Sequence, residues 1–477
     1  MVSGRRRERG RSRWEWVHPW AIPGRPDYAF APAGVFCAAG AMERSGFSTR
    51  VWDAPLQGLL GQAEETRMRT ALAQAQGVAI SLHWHEHSHG ALDLARWVRS
   101  VNPSATVIVG GLTASAYPKE LLALAGEAVD AVVVGEAEEV MVEVARLVAS
   151  SGRETLPSVI PGRPPRRDWP ASPGFALLEN AREYTRLDMS AYHPTRYTAS
   201  FWLKAGVGCP YRCVWCGGGR GAMPKPFGER VRLRPAGNLA HDVATLAALG
   251  VHEVCLTHDV SINRDYWKEF FRSVQGRRFI PGLYLEAWQC PDQEFLTALA
   301  TTFDPRFSRV VLSPTSGEDG HRAKLGKTFT NSELRAAIRT MERLGLRHEV
   351  YFAHGLPGET ETTAQATVAL AEELADTFRP VQVNLGGIVL DPFCPMQRHP
   401  EAHGLEVSLR SFRDYYERAR ARALGQAYDL RGYRPSPAGS GQPDLRQVWA
   451  AGPGRADLTA NAMLSPSPFL GTWEVHP

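Results

Sequence analysis

Cys209-Pro210-Tyr211-Arg212-Cys213-Val214-Trp215-Cys216 follows directly on an apolar, strand-like run, Ser200–Val207. Three thiols at C-x3-C-x2-C spacing let one short loop reach three irons of a cubane cluster, and the flanking Gly208 and Gly217–Gly219 admit a bulky inorganic core close to the backbone. Three protein ligands leave the fourth iron open to a substrate or cofactor. Zinc is the competing metal, but it would draw a fourth ligand from a second C-x2-C or H-x3-H pair, and none follows at the usual spacing. The chain has seven cysteines, and the other four (Cys37, Cys255, Cys290, Cys394) are scattered. An odd count with one tight group, in a long chain without a secretion signal, argues for a metal site over a disulfide framework. The scattered cysteines are expected to pack as small apolar residues, with Cys394 the one placed near the site.

Outward from that loop the pattern alternates. Strands are expected at Ser200–Val207, Glu253–Thr257, Gly282–Ala287, Arg309–Ser313, Glu349–Ala353 and Gln382–Leu390. Helical periodicity fills the gaps at Gly237–Leu249, Arg264–Val274, Asp292–Thr301, Asn331–Leu344 and Glu361–Ala375. Successive β/α units of this kind predict a parallel, partial (β/α)6 barrel over 196–404, whose chemistry belongs at the strands' C-terminal ends.

A second alternating region precedes it. Strands at Ser48–Asp53, Val78–Leu82, Thr106–Val109 and Val129–Val134, with helices at Gly34–Ser45, Ala91–Val101, Lys119–Ala125 and Glu139–Ala149, predict a doubly wound, Rossmann-like α/β domain over 23–155. G-x-G-x-x-G is missing from its first βα turn, which argues against the rival reading of a Rossmann-like dinucleotide domain. The stretch Ser81-Leu82-His83-Trp84-His85-Glu86-His87-Ser88-His89-Gly90 is rich in histidine and is expected to line a ligand crevice by hydrogen bonds, with a metal or cobalt ligand as the alternative.

The remainder carries less information. The formal net charge of +4 is concentrated in Arg5, Arg6, Arg7, Arg9, Arg11 and Arg13, so 1–22 is read as a basic, solvated tail and nucleic acid is not expected as a partner. Pro- and Arg-rich composition marks 156–195 as a linker. Residues 405–477 hold one helix, Ser411–Ala423, and aromatic residues (Phe412, Tyr415, Tyr416, Tyr428, Tyr433, Trp449, Trp473) that either close over the barrel mouth or pack on its outside. No apolar run is long enough to span a membrane, and a cytoplasmic location is expected.

The cysteine triad after the first strand of a β/α barrel resembles the radical S-adenosylmethionine (radical SAM) superfamily. The resemblance implies that Cys209, Cys213 and Cys216 hold a [4Fe-4S] cluster whose open iron takes S-adenosylmethionine, with Trp215 and Gly217 beside it. It implies that Thr257-His258-Asp259, at the end of strand two, stands where the family holds the methionine amine, although the usual glycine-glycine-glutamate is absent. Ser313-Pro314-Thr315-Ser316-Gly317 looks like the ribose- and carboxylate-contacting stretch, followed by Lys324 and Lys327. His354-Gly355-Leu356-Pro357-Gly358-Glu359-Thr360 is similar to the turn beside the adenine. Asp391-Pro392-Phe393-Cys394-Pro395 stands where relatives carry a Pro-Gly-Thr-Pro type turn. Glu286, with Trp288 and Tyr351, is a candidate contact for substrate or S-adenosylmethionine.

A doubly wound domain ahead of such a barrel resembles the cobalamin-binding subclass of that superfamily. The resemblance implies cobalamin contacts from Ser81, Leu82 and His83, from Gly110, Gly111 and Leu112, and from Gly135 and Glu136. His87-Ser88-His89-Gly90 matches only the H-x-x-G half of the D-x-H-x-x-G cobalamin motif, and His85 stands in place of the aspartate. The family chemistry then implies a methyltransferase acting on an unactivated carbon: one S-adenosylmethionine methylates cobalamin, and a second yields the 5′-deoxyadenosyl radical that takes hydrogen from the substrate. Cyclisation or rearrangement without methyl transfer is the enzyme alternative, and a non-catalytic cobalamin or iron–sulfur sensor the other. A small-molecule or peptide substrate and a low-potential donor such as flavodoxin or ferredoxin are the expected partners.

Overall fold

Arg13–His18 forms the first strand, β1, and this corrects the reading of 1–22 as a solvated tail. Trp14 and Val17 are fully buried and Trp16 nearly so, which makes β1 a two-sided core strand despite the arginines around it. Glu15 is buried with them because Trp52 Nε1 and Arg13 Nε donate to its carboxylate at 2.7 and 2.6 Å, although burial still pushes its carboxyl above the usual range. The computed structural model describes residues 12–22, 33–164, 184, 200–222, 231–277, 279–380 and 382–436. It divides into two units, one of Met1–Arg166 with Pro173–Ala181, the other of Arg167–Ser172 with Arg182–Pro477.

In the first unit, α1 (Ala33–Arg44) leads to β2 (Ser48–Asp53), then α2 (Ala54–Leu60) and α3 (Gln62–Ala73) to β3 (Gly77–Ser81). α4 (Ser88–Val101), β4 (Thr106–Gly110), α5 (Leu112–Ala116), α6 (Pro118–Ala125), β5 (Ala131–Val134), α7 (Glu138–Ser151) and β6 (Val159–Pro161) complete it. The strands form one parallel sheet in the order β2-β1-β3-β4-β5-β6. β6 lies inside the stretch expected as a linker, most of which falls outside the described residues. The order reverses between β1 and β3, which makes the carboxyl ends of those two strands the switch point where such sheets take ligands.

The second unit starts at β7 (Ser200–Leu203), followed by a small antiparallel pair, β8 (Gly206–Val207) and β9 (Arg232–Leu233). Then come α8 (Ala236–Ala248), β10 (Glu253–Leu256), α9 (Arg264–Val274), β11 (Gly282–Ala287), α10 (Gln293–Thr302) and β12 (Arg309–Thr315). After these follow α11 (Asp319–Lys324), α12 (Asn331–Arg343), β13 (Arg347–His354), α13 (Glu361–Thr377) and β14 (Gln382–Gly387). The side chains of Asn263 and Asp292 cap α9 and α10, and Thr330 with Glu333 forms a capping box on α12, one residue ahead of the Asn331 start read from the sequence.

Six parallel strands pair in the order β7-β10-β11-β12-β13-β14, the topology of the expected partial barrel. Curvature shows in the side chains. Arg309 on β12 reaches Glu349 on β13 at 2.6 Å and Glu253 on β10, two strands away, at 3.3 Å. A flat sheet would place β10 roughly 10 Å from β12. Trp202 and Tyr351, from β7 and β13, pack on the same buried group of Cys255, Tyr284 and Val311.

Beyond β14, α14 (Pro395–Arg398), β15 (Leu405–Val407), α15 (Phe412–Ala423) and β16 (Tyr433–Pro435) belong to this second unit. Phe412, Tyr415, Tyr416 and Tyr433 are buried, and the Tyr415 hydroxyl donates to the Leu390 carbonyl at 2.9 Å. Trp449 and Trp473 lie outside the described residues.

Candidate functional site

The cysteine loop is braced from two sides by segments far away in sequence. The Val214 amide donates to the Leu325 carbonyl at 3.3 Å, and the Val214 carbonyl accepts from Met396 at 3.0 Å. The Gly217 amide donates to Asp391 Oδ2 at 3.1 Å. Gly326 lies hard against the loop: a Cβ there would stand 2.8 Å from the Cys213 Cα, and its φ of +103° is one that other residues rarely adopt. Leu325–Lys327 on one face and Asp391–Met396 on the other therefore hold the C-x3-C-x2-C stretch in place.

The donor set fits an iron–sulfur cluster. None of the three cysteines is in a disulfide, and burial pushes Cys209 up to about 12 and raises Cys213 and Cys216 as well. Thiolates at such positions need a positive core beside them, which an iron cluster supplies. Backbone N–H groups already point at the sulfurs: Gly218 donates to Cys216 Sγ at 3.3 Å and Tyr211 to Cys209. Among the described residues no three His, Cys, Asp or Glu side chains converge on one metal ion. A cubane asks for a different arrangement, with each sulfur on its own iron.

Several residues expected to touch S-adenosylmethionine also bond within the protein. Asp259 is fully buried; its Oδ2 accepts the Trp288 amide at 2.7 Å and its Oδ1 the Ser261 amide and hydroxyl at 2.9 and 2.6 Å. Thr257 Oγ1 accepts from the Ala205 amide. The Ser316 hydroxyl meets His321 Nδ1 at 3.1 Å, and its carbonyl accepts from both Nε and Nη2 of Arg322. Leu356 is buried, and the Pro357 carbonyl lies 2.9 Å from His321 Nε2. These bonds shape the strand ends. Trp215 likewise is buried, at 6% exposure, beneath the cysteine loop.

Others stand at or next to the strand ends. The regular pairing of β12 with β13 shifts between Leu312 and Thr315, a span that holds Ser313, and Thr315 at the strand's end has φ +65°. Phe393, after β14, has φ +62°. These are the two non-glycine residues with positive φ among those described, and both sit at barrel strand ends, where strain tends to collect at functional sites. The Gly355 amide donates to Glu359 Oε2 at 2.9 Å, which fixes the turn after β13. Glu286 accepts the Tyr284 hydroxyl at 2.8 Å and is linked through that ring to the buried Arg309.

In the first unit the expected cobalamin residues do gather at one sheet edge. Thr113 N and Oγ1 both donate to the His83 carbonyl, and the Ala114 amide donates to that of Leu82, so the turns after β3 and β4 are sewn together. Gly111 makes this possible, since its φ is +114° and a Cβ would stand 2.6 Å from the Leu82 oxygen. The Gly135 amide donates to Ser115 Oγ at 3.0 Å, adding the turn after β5. Leu82 itself is fully buried, and Ser81 and Glu136 nearly so.

The histidine-rich stretch is largely buried. His87 is fully buried with its ring 4.5 Å from that of His18, and His18 also meets Trp84 at 5.5 Å. His85 Nε2 stands 3.2 Å from Glu86 Oε1. His18 ends β1 at the switch point and was missed because 1–22 read as tail. From the sequence, Asp391, Trp288 and Lys327 are only part of a turn, a candidate contact and a following lysine; the bonds from Gly217 to Asp391 and from Lys327 to the Trp288 carbonyl join segments distant in sequence, so no local spacing signals them.

Residues 21–145 match the B12 binding domain family and residues 203–371 the radical SAM superfamily. The radical S-adenosylmethionine methyltransferase TsrM from Kitasatospora setae, solved with tryptophan substrate and the SAM analog aza-SAM, is similar with a TM-score of 0.62 at 19% identity over 89% of this chain and 86% of that one. The cobalamin-dependent S-adenosylmethionine radical enzyme OxsB, solved with aqua-cobalamin, is similar with a TM-score of 0.55 at 11% identity over 78% of this chain and 53% of that one. An uncharacterized protein of Methanocaldococcus jannaschii is 21% identical over 239 residues, 49% of this chain and 50% of its own length. The chain spans half or less of the length of the curated relatives it matches. At these identities the structural likeness speaks to the fold.

Proposed function

We propose that this chain, a cobalamin-dependent member of the radical SAM superfamily with a B12-binding domain, is a methyltransferase acting on an unactivated carbon. The observation that carries the reading is the pairing, on one chain, of a three-thiol loop after the first barrel strand with a doubly wound sheet whose turns gather at its carboxyl edge. The likeness in fold to the radical S-adenosylmethionine methyltransferase TsrM, over 86% of that protein, is consistent with methyl transfer, and cyclisation or rearrangement with the same cofactors is the alternative the test below distinguishes.

When bound, the cluster with S-adenosylmethionine supplies the hydrogen-abstracting radical, and cobalamin carries the methyl group. The chain's own part is positional. Cys209, Cys213 and Cys216 would hold three irons, and Leu325–Lys327 and Asp391 keep that loop from moving. The backbone around Ser313 and Gly355–Pro357 offers the rim for S-adenosylmethionine, and the turns at Ser81–His83, Gly110–Leu112 and Gly135–Glu136 offer that for cobalamin. Glu286 and Tyr284 form a hydrogen-bonded acid pair inside the barrel, suited to orient a polar group of a small-molecule or peptide substrate. A low-potential one-electron donor completes the cycle. No helix among the described residues is long and apolar enough to cross a membrane.

The test is anaerobic reconstitution with iron, sulfide and cobalamin, then S-adenosylmethionine and a low-potential reductant, with products read by mass spectrometry. Methyl transfer predicts both 5′-deoxyadenosine and S-adenosylhomocysteine, and neither from a chain with Cys209→Ala, Cys213→Ala and Cys216→Ala. 5′-Deoxyadenosine without S-adenosylhomocysteine would replace it with rearrangement chemistry.

A further inference from the structure

Lys327 is a lysine where lysines are rarely found. Its side chain is 7% exposed, and its Nζ donates to the Trp288 carbonyl at 2.7 Å. That residue's amide in turn donates to Asp259, so the lysine closes a link between the end of β11 and the end of β10. Its own backbone is pinned as well: the Lys327 amide donates to the Arg322 carbonyl at 3.1 Å, and the preceding Gly326 abuts Cys213. The segment that braces the cysteine loop is therefore the segment that carries the ammonium. Its charge acts on Cys209, Cys213 and Asp259, and among the described residues no carboxylate pairs with it within 4.0 Å. A buried lysine ordinarily has such a partner.

We infer that Lys327 is a positioning residue that sets the reduction potential of the cluster held by Cys209, Cys213 and Cys216, its ammonium serving as a fixed countercharge against the sulfur loop. One-electron reduction by the low-potential donor adds one negative charge to the cluster and moves no proton. A cation locked beside the loop therefore favours the reduced form, and favours it strongly because burial keeps water and salt from screening the pair. The hydrogen bond to the Trp288 carbonyl fixes where the ammonium sits, and the Trp288 ring lies edge-on to that of Tyr211, within the cysteine loop, at 6.3 Å. The inference concerns the cluster and holds whichever product the enzyme makes.

The experiment is a redox titration of the reconstituted full chain, followed by electron paramagnetic resonance without S-adenosylmethionine, on wild type, Lys327→Gln and Lys327→Arg. Lys327→Gln is expected to carry wild-type iron while its reduction equilibrium shifts about tenfold toward the oxidised cluster, which is about 59 mV for a one-electron couple. Lys327→Arg, which keeps the charge, should return most of that shift. An unchanged midpoint in Lys327→Gln, with weakened S-adenosylmethionine binding by equilibrium dialysis, would overturn the inference and make Lys327 a ligand contact. If Lys327→Gln takes up no iron, Lys327→Arg decides: wild-type loading and midpoint support the countercharge, and failure to load assigns the residue to loop packing.

Discussion

Arg431 donates from Nη2 to Nδ1 of His354 at 2.6 Å, tying the segment after α15 to the end of β13. The guanidinium occupies the space over Gly355, where a Cβ would stand 1.7 Å from Nη1. A hydrogen bond of this kind requires a neutral imidazole as acceptor. Burial first, and the guanidinium second, push His354 down to about 3 from its ordinary 6.5.

A pH dependence follows. Below pH 6.5 the unfolded chain protonates this histidine and the folded chain does not, so stability falls as pH drops from 6.5 toward 3, by about 1.4 kcal/mol per pH unit for each such group. His258, pushed down to about 4 by burial, acts in the same direction, while the raised carboxyls of Glu15 and Asp259 act in the opposite one. The difference between wild type and His354→Gln isolates the first contribution. Urea midpoints at pH 7.5 and pH 5.5 should drop less in the variant; equal drops would mean His354 titrates normally.

Gly326→Ala is expected to disrupt the cysteine loop while leaving the barrel folded. The new methyl meets the Cys213 Cα at 2.8 Å, and the backbone angle adds about 1–2 kcal/mol of strain. Iron per chain after reconstitution should fall severalfold with an unchanged far-ultraviolet circular dichroism spectrum. Full iron content would show that the loop can yield.

Gly111→Ala should act on the other cofactor. Its methyl would meet the Leu82 carbonyl at 2.6 Å and part the turns after β3 and β4. Cobalamin retained after gel filtration, read by its visible absorbance, is expected to fall at least tenfold, a change of about 1.4 kcal/mol or more, with iron content unaffected. Loss of both cofactors together would point to a general folding defect.

Arg309→Met leaves Glu253 and Glu349 buried without their cation, each at about 1% exposure or less. Removing one partner of such a group costs about 3–5 kcal/mol. Chemical denaturation should show that loss, and a Glu253→Gln, Glu349→Gln chain carrying the same Arg309→Met change should recover part of it. No recovery would mean that packing around the guanidinium, not charge, is what the substitution removes.

Much of the site was legible in the sequence because its signals are local. Three cysteines within one loop hold their spacing whatever the fold does, and the periodicity of β11 and α9 places Gly282–Ala287 and Arg264–Val274 where the structure has them. Glycine-rich turns after strands likewise mark where a parallel sheet can take a ligand. What sequence pattern missed lies at longer range. β1 reads as an arginine-rich tail until β2 and β3, which begin some tens of residues later, pair with it on both sides and bury its tryptophans. The hydrogen bond from Gly217 to Asp391 spans 174 residues and that from Lys327 to Trp288 spans 39.

The sequence by itself determined the two α/β units, the three-thiol loop and the strand ends around it, since periodicity and ligand spacing act between near neighbours. Tertiary structure alone decided which partners the buried polar groups find. Asp259 and Ser316, read in line as ligand contacts, bond in the folded chain to Trp288, Ser261, His321 and Arg322. Lys327, which looks like any loop lysine, is brought beside the cysteines with its charge unpaired among the described residues. The reason is physical: a buried polar group must find partners, and which partners it finds depends on the strands that curvature brings together.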